Sequence, residues 1–255
     1  MRLTTLGTGT VALSPERVCA GHLVEAGSVR LLLDCGSGVT HRLAEGGIAW
    51  REITHVAFTH FHTDHIGDFA TLVFAWKYGS LPGRSAPLVV LGPVGLLALL
   101  AKLADAFGAW VTDPGFPMTV QEIVPGERVE LGDGTTLSAT KVPHTAESVA
   151  YSVVRGGRRI VYTGDTGYDP MFGEWARGAD LLLCECSLPA EMAIPEHMTP
   201  EQCGALAAAA LPRHLVLTHF YPPVERTDVR GAVAAHYAGP VSLASDLAAF
   251  EIEED

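Results

Sequence analysis

The segment 59–68, THFHTDHIGD, places three histidines and an aspartate within six consecutive positions. It follows the apolar run HVAF, which is typical of a short buried strand. Side chains two positions apart in an extended chain point to the same side, so the imidazoles of His60 and His62 can contact one ion. Asp64 and His65 follow in a turn that opens the next helix, where we expect them to face a neighbouring ion. Imidazoles and a carboxylate at this spacing predict a metal site.

Three later residues are candidates for the remaining ligands, because each comes directly after a strand-like run. His144 follows SATKVP, Asp165 follows IVYTG and His219 follows HLVLT. Loops that leave a rigid scaffold commonly carry functional groups. Each residue taken alone could instead form a turn or a cap. Their occurrence behind three separate strands favours one shared site.

Short apolar segments bounded by polar residues or glycine are typical of strands buried on both faces. The sequence predicts such strands at 31–34, 55–59, 88–91, 159–163, 181–185 and 214–218. Helical patterns alternate with them at 66–77, 94–107 and 200–211. Thr199 and Gln202 fit a capping box at the start of the third helix. Because no linker divides this pattern, we predict a single α/β domain over residues 1–255.

Composition and charge bear on the partners of the protein. No segment reaches the ~20 consecutive apolar residues of a membrane span, and the start MRLTTLGTGT lacks signal-peptide features, so we expect a cytoplasmic protein without a membrane partner. The net charge is −12, with 17 Lys and Arg against 29 Asp and Glu, which disfavours a stable nucleic-acid partner. The one dense basic run, RGGRR at 155–159, predicts a solvated hairpin turn. Cys184 and Cys186 fit alternation in a buried strand, with reduced thiols.

The motif H-x-H-x-D-H at 60–65, with the later single residues, resembles the metallo-β-lactamase superfamily over nearly the whole chain. The resemblance implies a four-layered αββα sandwich. It also implies two divalent metal ions, for which Zn²⁺ suits the histidine-rich ligand set and Mn²⁺ or iron are alternatives. The ligands implied are His60, His62 and His144 for one ion, and Asp64, His65 and His219 for the other, with Asp165 bridging both.

Two such ions, about 3.5–4 Å apart, can share and activate a hydroxide at neutral pH. The motif is specific for the fold and poorly specific for the substrate. Asp34, in the run LLLDCG, is a carboxylate at a strand end. We predict that it supports a histidine ligand rather than binding metal itself.

One further histidine resembles the ribonuclease Z branch of the superfamily. In that branch an H-x-T motif, here His197-Met198-Thr199, supplies a histidine that binds no metal and can protonate the leaving group. His197 could alternatively only flank the helix. Glu185 is a candidate orienting partner for His197, so the expected catalytic residues are His197, Glu185 and the ligand Asp64.

The sequence departs from that branch in the segment between the third and fourth motifs. Ribonuclease Z enzymes of the short form carry a long tRNA-gripping arm there, whereas 145–164 has room for two strands and a turn. We therefore expect a hydrolase of a small or flexible phosphodiester. Alternatives are a hydrolase of aryl sulfates, lactones or β-lactams, a tRNA 3′-end endonuclease, and a metal-binding scaffold without catalysis.

Several features of the sequence leave alternatives open. The loops 77–87 and 110–118 could line the substrate pocket or form ordinary surface, and Tyr221, next to the last ligand, is a better pocket candidate. Enzymes of the family that the sequence resembles are often dimers, so the resemblance implies a homodimer as one alternative, and nothing in the sequence indicates an interface.

Overall fold

Residues 1–253 are described in the computed structural model, and fourteen strands there form two seven-stranded sheets. The first sheet contains β1 (Arg2–Gly7), β2 (Gly21–Ala26), β3 (Val29–Leu33), β4 (His55–Ala57), β5 (Leu88–Gly92), β6 (Met118–Glu122) and β14 (Ala248–Glu251). The second contains β7 (Arg128–Gly132), β8 (Thr135–Lys141), β9 (Val149–Arg155), β10 (Arg158–Tyr162), β11 (Leu181–Glu185), β12 (His214–Thr218) and β13 (Val241–Leu243). The spatial orders are β14-β1-β2-β3-β4-β5-β6 and β13-β12-β11-β10-β9-β8-β7.

Seven α-helices accompany the sheets within residues 1–253. They are α1 (Val39–Glu45), α2 (Thr63–Ile66), α3 (Phe69–Tyr78), α4 (Leu96–Phe107), α5 (Pro170–Trp175), α6 (Pro200–Ala210) and α7 (Val229–Ala234). Short 3₁₀ turns lie at Trp50–Glu52, Ala109–Val111, Ala190–Met192 and Val224–Arg226. None of the helices in the described part of the chain has the length and hydropathy needed to cross a bilayer.

The layers follow from the alternation of side chains along the central strands. Leu31 of β3 and Leu183 of β11 both lie in the core between the two sheets. Their neighbours face the other way: Leu32 packs in an outer core with α1, α3 and α4, and Leu182 in an outer core with α5, α6 and α7. Each central strand is therefore buried on both faces, as its continuous apolar sequence requires. The four layers, helices–sheet–sheet–helices, confirm the predicted αββα sandwich.

The centre of each sheet is parallel, which gathers the carboxyl ends of strands at one edge. β3 to β6 run parallel to one another in the first sheet, and β10 to β13 do so in the second. The chain turns sharply as it leaves two of these strands, because Asp34 and His219 both have φ of 58°. At the same edge the two sheets are joined by a hydrogen bond, in which the N–H of Val149 donates to the carbonyl of Thr59 at 3.0 Å.

The predicted helix 66–77 is wrong at its start, since α2 and α3 replace it. The N–H of Cys35 donates to the carbonyl of His65 (2.7 Å), and the carbonyl of Cys35 accepts from the N–H of Asp68 (3.0 Å). The Asp68 carboxylate also accepts from the N–H and hydroxyl of Thr40, at 3.0 and 2.7 Å. These bonds to the loop after β3 and to the first turn of α1 replace helical bonds and interrupt the helix. The strand predicted at 55–59 likewise ends earlier, at Ala57.

Two local predictions are confirmed and one is corrected. Thr199 and Gln202 form the capping box at the start of α6. Gly156 and Gly157, with φ of 56° and 77°, form the tight turn between β9 and β10. The basic residues of that hairpin are not a solvated cluster, however. Arg158 is only 8% exposed and lies 3.2 Å from a carboxylate oxygen of Asp180.

The cysteines follow the predicted pattern. Cys184 and Cys186 are fully buried in the outer core of the second sheet, two positions apart on the same face. All five cysteines are free thiols.

Candidate metal centre

Four side chains form a group on the solvent side of the site, which we term the outer group. Its members are His60, His62, His144 and Asp165, whose ligand-type atoms all lie within 4.8 Å of one another. Nδ1 of His62 lies 3.1 Å from Nε2 of both His60 and His144. Oδ2 of Asp165 lies 3.9 Å from Nε2 of His60 and 3.8 Å from that of His144. His62 is exposed, whereas His60 is buried.

A second set, the inner group, lies deeper and consists of Asp64, His65, Asp165 and His219, all buried. Oδ1 of Asp165 lies 3.1 Å from Nε2 of His65 and 3.2 Å from Nε2 of His219. The two Nε2 atoms are 3.4 Å apart, and Oδ2 of Asp64 lies 3.6 Å from that of His219. Asp165 therefore faces both groups, one oxygen toward each.

The far nitrogen of each of four imidazoles is held by another group. Nδ1 of His65 contacts Oδ2 of Asp34 (2.8 Å), and Nδ1 of His219 contacts the hydroxyl of Ser187 (2.9 Å). Nδ1 of His60 contacts the Thr59 hydroxyl (3.1 Å), and Nδ1 of His144 contacts the Glu196 carbonyl (3.0 Å). Carboxylates and carbonyls only accept, and the hydroxyls of Thr59 and Ser187 already donate to carboxylates and so accept from the rings. In the neutral imidazoles these contacts place the proton on Nδ1 and leave Nε2 with a free lone pair.

The positions of the converging atoms suit coordination of a metal ion better than hydrogen bonds between these atoms. Two unprotonated nitrogens cannot hydrogen-bond, yet the Nε2 atoms of His65 and His219 face one another. Oδ1 of Asp165 is buried and lacks a hydrogen-bond partner, which is unusual for a carboxylate in a protein interior. Donors about 2.0 Å from a tetrahedral ion are separated by about 3.3 Å. The four spacings given above for the inner group, 3.1–3.6 Å, bracket that value.

The electrostatics of the inner group favour positive charge. Burial disfavours protonation of His65, but the carboxylates Asp165 and Asp34 outweigh it and hold the pKa of His65 well above its ordinary value. The pKa of Asp165 lies well below its ordinary value because His219 and His65 outweigh its burial. In contrast, burial and the nearby His65 lower the pKa of His60.

A buried acid–histidine pair lies beside the inner group. Nδ1 of His197 is 2.8 Å from Oε1 of Glu185, which also accepts from the N–H of Thr166 (2.7 Å). The other carboxylate oxygen, Oε2, accepts from the Ser187 hydroxyl (2.6 Å) and from the N–H of Met198 (3.1 Å). Burial opposes protonation of His197, but the hydrogen bond and charge of Glu185 prevail and raise its pKa to about 9. The imidazole of His197 stacks on that of His219, with ring centroids 5.7 Å apart.

These groups open onto a cleft of about 430 Å³. Polar and apolar side chains line it: Val11, Phe61, His62, Thr63, Asp64, His144, Asp165, His197 and Tyr221. The location predicted for Tyr221 is confirmed. The loops 77–87 and 110–118 contribute no side chain to this lining. They contact each other and α3 instead: Nζ of Lys77 donates to the Pro114 carbonyl at 2.7 Å, and Arg84 lies over Trp76 at 5.0 Å.

The structure places every residue that the sequence predicted for the site in or directly behind these groups. Asp34 lies behind His65, as predicted, and not among the convergent atoms. Sequence reasoning missed Ser187, whose hydroxyl contacts Glu185 and His219, and Val11, which lines the cleft from the loop after β1. Ser187 lies two positions beyond Glu185, where strand alternation could have indicated it; Val11 carries no such signal.

Comparison with protein families matches residues 29–220 to the β-lactamase superfamily domain. The chain belongs to the β-lactamase superfamily. Members of this superfamily are hydrolases whose fold binds divalent metals, often zinc, and the His and Asp groups described above could hold such an ion.

Relatives within the β-lactamase superfamily include ribonuclease Z. The uncharacterized protein ML1173 of Mycobacterium leprae is 31% identical over 260 residues, covering 99% of this chain and 89% of its own. Ribonuclease Z of Mycobacterium bovis BCG is 27% identical over 277 residues, covering 99% and 98%. The metallo-β-lactamase fold protein YhfI of Bacillus subtilis has a solved structure that superposes with a TM-score of 0.84 at 25% identity, covering 98% of each chain. These findings confirm the superfamily and the similarity to ribonuclease Z.

Proposed function

We propose that the chain is a dinuclear metal-dependent phosphodiesterase that acts on a small or flexible phosphodiester, with residues 1–255 forming one catalytic domain. The observation that carries this proposal is the buried Glu185–His197 pair beside the metal-binding groups. A hydrolase of activated esters needs only a nucleophile and charge stabilisation. A phosphodiester with a basic leaving group also needs a proton donor, and His197 is placed to act as one.

The proposed ligand sets are the outer and inner groups, with Asp165 shared between them. Two bound divalent ions, Zn²⁺ in the first instance, would activate water and neutralise charge on a phosphoryl centre. The chain itself fixes the ligand orientations: hydrogen bonds from Nδ1 of His65 and His219 turn each Nε2 inward. Asp64 contributes a carboxylate both to the inner group and to the cleft wall.

His197 and Glu185 have separate proposed roles. The Nδ1–H of His197 is engaged by Glu185, so the proton available to a substrate is the one on Nε2. A pKa of about 9 keeps that imidazole protonated at neutral pH, as a general acid requires. Glu185 is a positioning residue that fixes the ring and stabilises its charge.

The size and charge of the protein support a small substrate. The cleft of about 430 Å³ has the volume of a small-molecule site. Between His144 and Asp165 the chain forms only β9, β10 and their tight turn. The net charge of −12 gives no attraction for a polyanion. Although ribonuclease Z is a relative, these features favour a substrate other than tRNA.

The proposal is tested with the Zn²⁺-loaded protein and a substrate panel. The panel contains bis-p-nitrophenyl phosphate, an unstructured dinucleotide, a precursor tRNA, an aryl sulfate, a lactone and a cephalosporin. We expect turnover of the first two and not of the others. Preferential cleavage of the precursor tRNA, or turnover confined to the sulfate, lactone or cephalosporin, would overturn the proposal. Metal stoichiometry, measured on the same sample, verifies that the ions are present.

A further inference from the structure

The inner and outer groups differ in how their ligands are supported from behind. In the inner group, His65 contacts the buried carboxylate of Asp34 directly. His219 reaches a second carboxylate through one hydroxyl, because Ser187 donates to Oε2 of Glu185 and is left to accept from Nδ1 of His219. Both inner imidazoles are therefore coupled to full negative charges. Such coupling raises the basicity of a ligating imidazole.

The imidazoles of the outer group are coupled less strongly to carboxylates. His60 reaches Asp34 only through the hydroxyl of Thr59, which donates to Oδ2 at 2.9 Å. His144 is held by the neutral carbonyl of Glu196 (3.0 Å), and His62 is solvent-exposed. One imidazole of three is coupled to a carboxylate.

Carboxylate content and burial separate the two groups further. The inner group contains Asp64 in addition to the shared Asp165, and its members are at most 7% exposed. Charges attract a cation more strongly in such a water-excluded place. The Asp165 oxygen that faces the inner group is also the closer one: it lies 3.1 Å from His65, whereas the other lies 3.8 Å from His144. The inner group is preorganised and the outer group is less so.

We infer that the two metal sites are unequal: the inner group takes its ion first and holds it tightly, and the outer group takes the second ion more weakly and exchanges it. Ser187 is then a positioning residue for the tight site, acting through His219. This inference rests on the metal-binding part of the proposed function. The outer ion binds beside the exposed His62. If it binds more weakly, its free concentration determines what fraction of the protein carries both ions.

The order of filling is measured by titrating chelator-treated full-length protein with Zn²⁺ while recording the ring ¹⁵N resonances of its histidines. The first equivalent should shift His65 and His219, and the second should shift His60, His62 and His144. Filling in the reverse order, or together, would overturn the inference. Calorimetry of the same titration should resolve a tight and a weak phase.

Three variants assign the tight and the weak phase of the Zn²⁺ titration to the inner and the outer group. His62→Gln changes an exposed side chain and should remove the weak phase while keeping the tight one. Ser187→Ala should weaken the tight phase by about 10–100-fold, and Ser187→Thr, which keeps the hydroxyl, should restore it. Loss of the tight phase in His62→Gln, or an unchanged tight phase in a folded Ser187→Ala protein, would contradict the inference. Two-phase binding without phosphodiester turnover would contradict the proposed function alone.

Discussion

Nδ1 of His197 lies 2.8 Å from Oε1 of Glu185, in a buried pair beside the metal-binding groups. Glu185 is fully buried and its carboxylate accepts hydrogen bonds on both oxygens. The charge of this carboxylate is thus fixed next to one imidazole, and the properties of His197 should depend on it.

Glu185→Gln should lower the pKa of His197. The wild-type value of about 9 arises because the hydrogen bond and charge of Glu185 outweigh burial. Without that charge, burial prevails, and the pKa should fall to or below the ordinary value of about 6.5. Since a raised pKa means protonation is retained up to alkaline pH, the variant should lose its proton in the neutral range instead. A ¹⁵N NMR titration of the metal-free protein measures this. Glu191→Gln, at an exposed position six residues before His197 in the chain, is the control and should leave the pKa of His197 unchanged.

Asp34→Asn should destabilise the metal-free protein. The buried carboxylate accepts from the N–H and hydroxyl of Thr59, from the hydroxyl of Tyr162 at 2.9 Å, and from His65. An amide turns an N–H₂ group toward donors and leaves at least one of them unpaired, at about 1–3 kcal/mol. Urea unfolding measures the loss. Asp133→Asn is the matched control, because Asp133 also has positive φ (53°) and is exposed; an equal loss there would refute the explanation.

Asp246→Ala should raise KM more than it lowers kcat. The Asp246 carboxylate accepts from the N–H and hydroxyl of Thr8, the N–H of Val18 and the guanidinium of Arg42 (2.9 Å). It therefore anchors both ends of the loop that carries Val11 into the cleft. Steady-state kinetics on the preferred phosphodiester test this. Glu45→Gln removes the exposed partner of the same Arg42 and should leave KM unchanged. Equal changes in both variants would contradict the anchoring role.

Metal removal should lower the melting temperature. An ion that binds only the folded state, at a free concentration 100-fold above its Kd, stabilises by about 2.7 kcal/mol, which for a chain of this size corresponds to about 5–10 °C. Calorimetry before and after chelation, and after readdition of Zn²⁺, checks the shift. Asp165→Asn, which neutralises the carboxylate shared by both groups, should show little or none of it. A full shift in that variant would contradict the assigned ligands.

The sequence predicted well which side chains converge, because their positions are set by topology. Parallel strands place their carboxyl ends at one edge, so residues that follow β4, β10 and β12 must approach one another. His60, Asp165 and His219 follow those strands and do converge. The αββα layers were predictable for a related reason, since uninterrupted apolar strands need cover on both faces.

The features that the sequence did not predict depend on contacts between residues that lie far apart in the sequence. The break between α2 and α3 is caused by Asp68 bonding to Cys35 in the loop after β3 and to Thr40 at the start of α1, which no helical propensity reveals. The loop bearing Val11 is fixed by Asp246, near the other end of the chain. Arg158 pairs with Asp180 across the second sheet, so a run that looks like a solvated turn is packed.

The most direct test of the proposed role of His197 compares leaving groups in wild type and His197→Gln, both loaded with Zn²⁺. The p-nitrophenolate of bis-p-nitrophenyl phosphate leaves without a proton, whereas the alkoxide of a dinucleotide needs one. If His197 is the general acid, the variant should lose about 10²–10⁴-fold in kcat on the dinucleotide and far less on the nitrophenyl ester. An equal loss on the two substrates, or no loss on the dinucleotide, would contradict the role of His197 and with it the proposed phosphodiester chemistry.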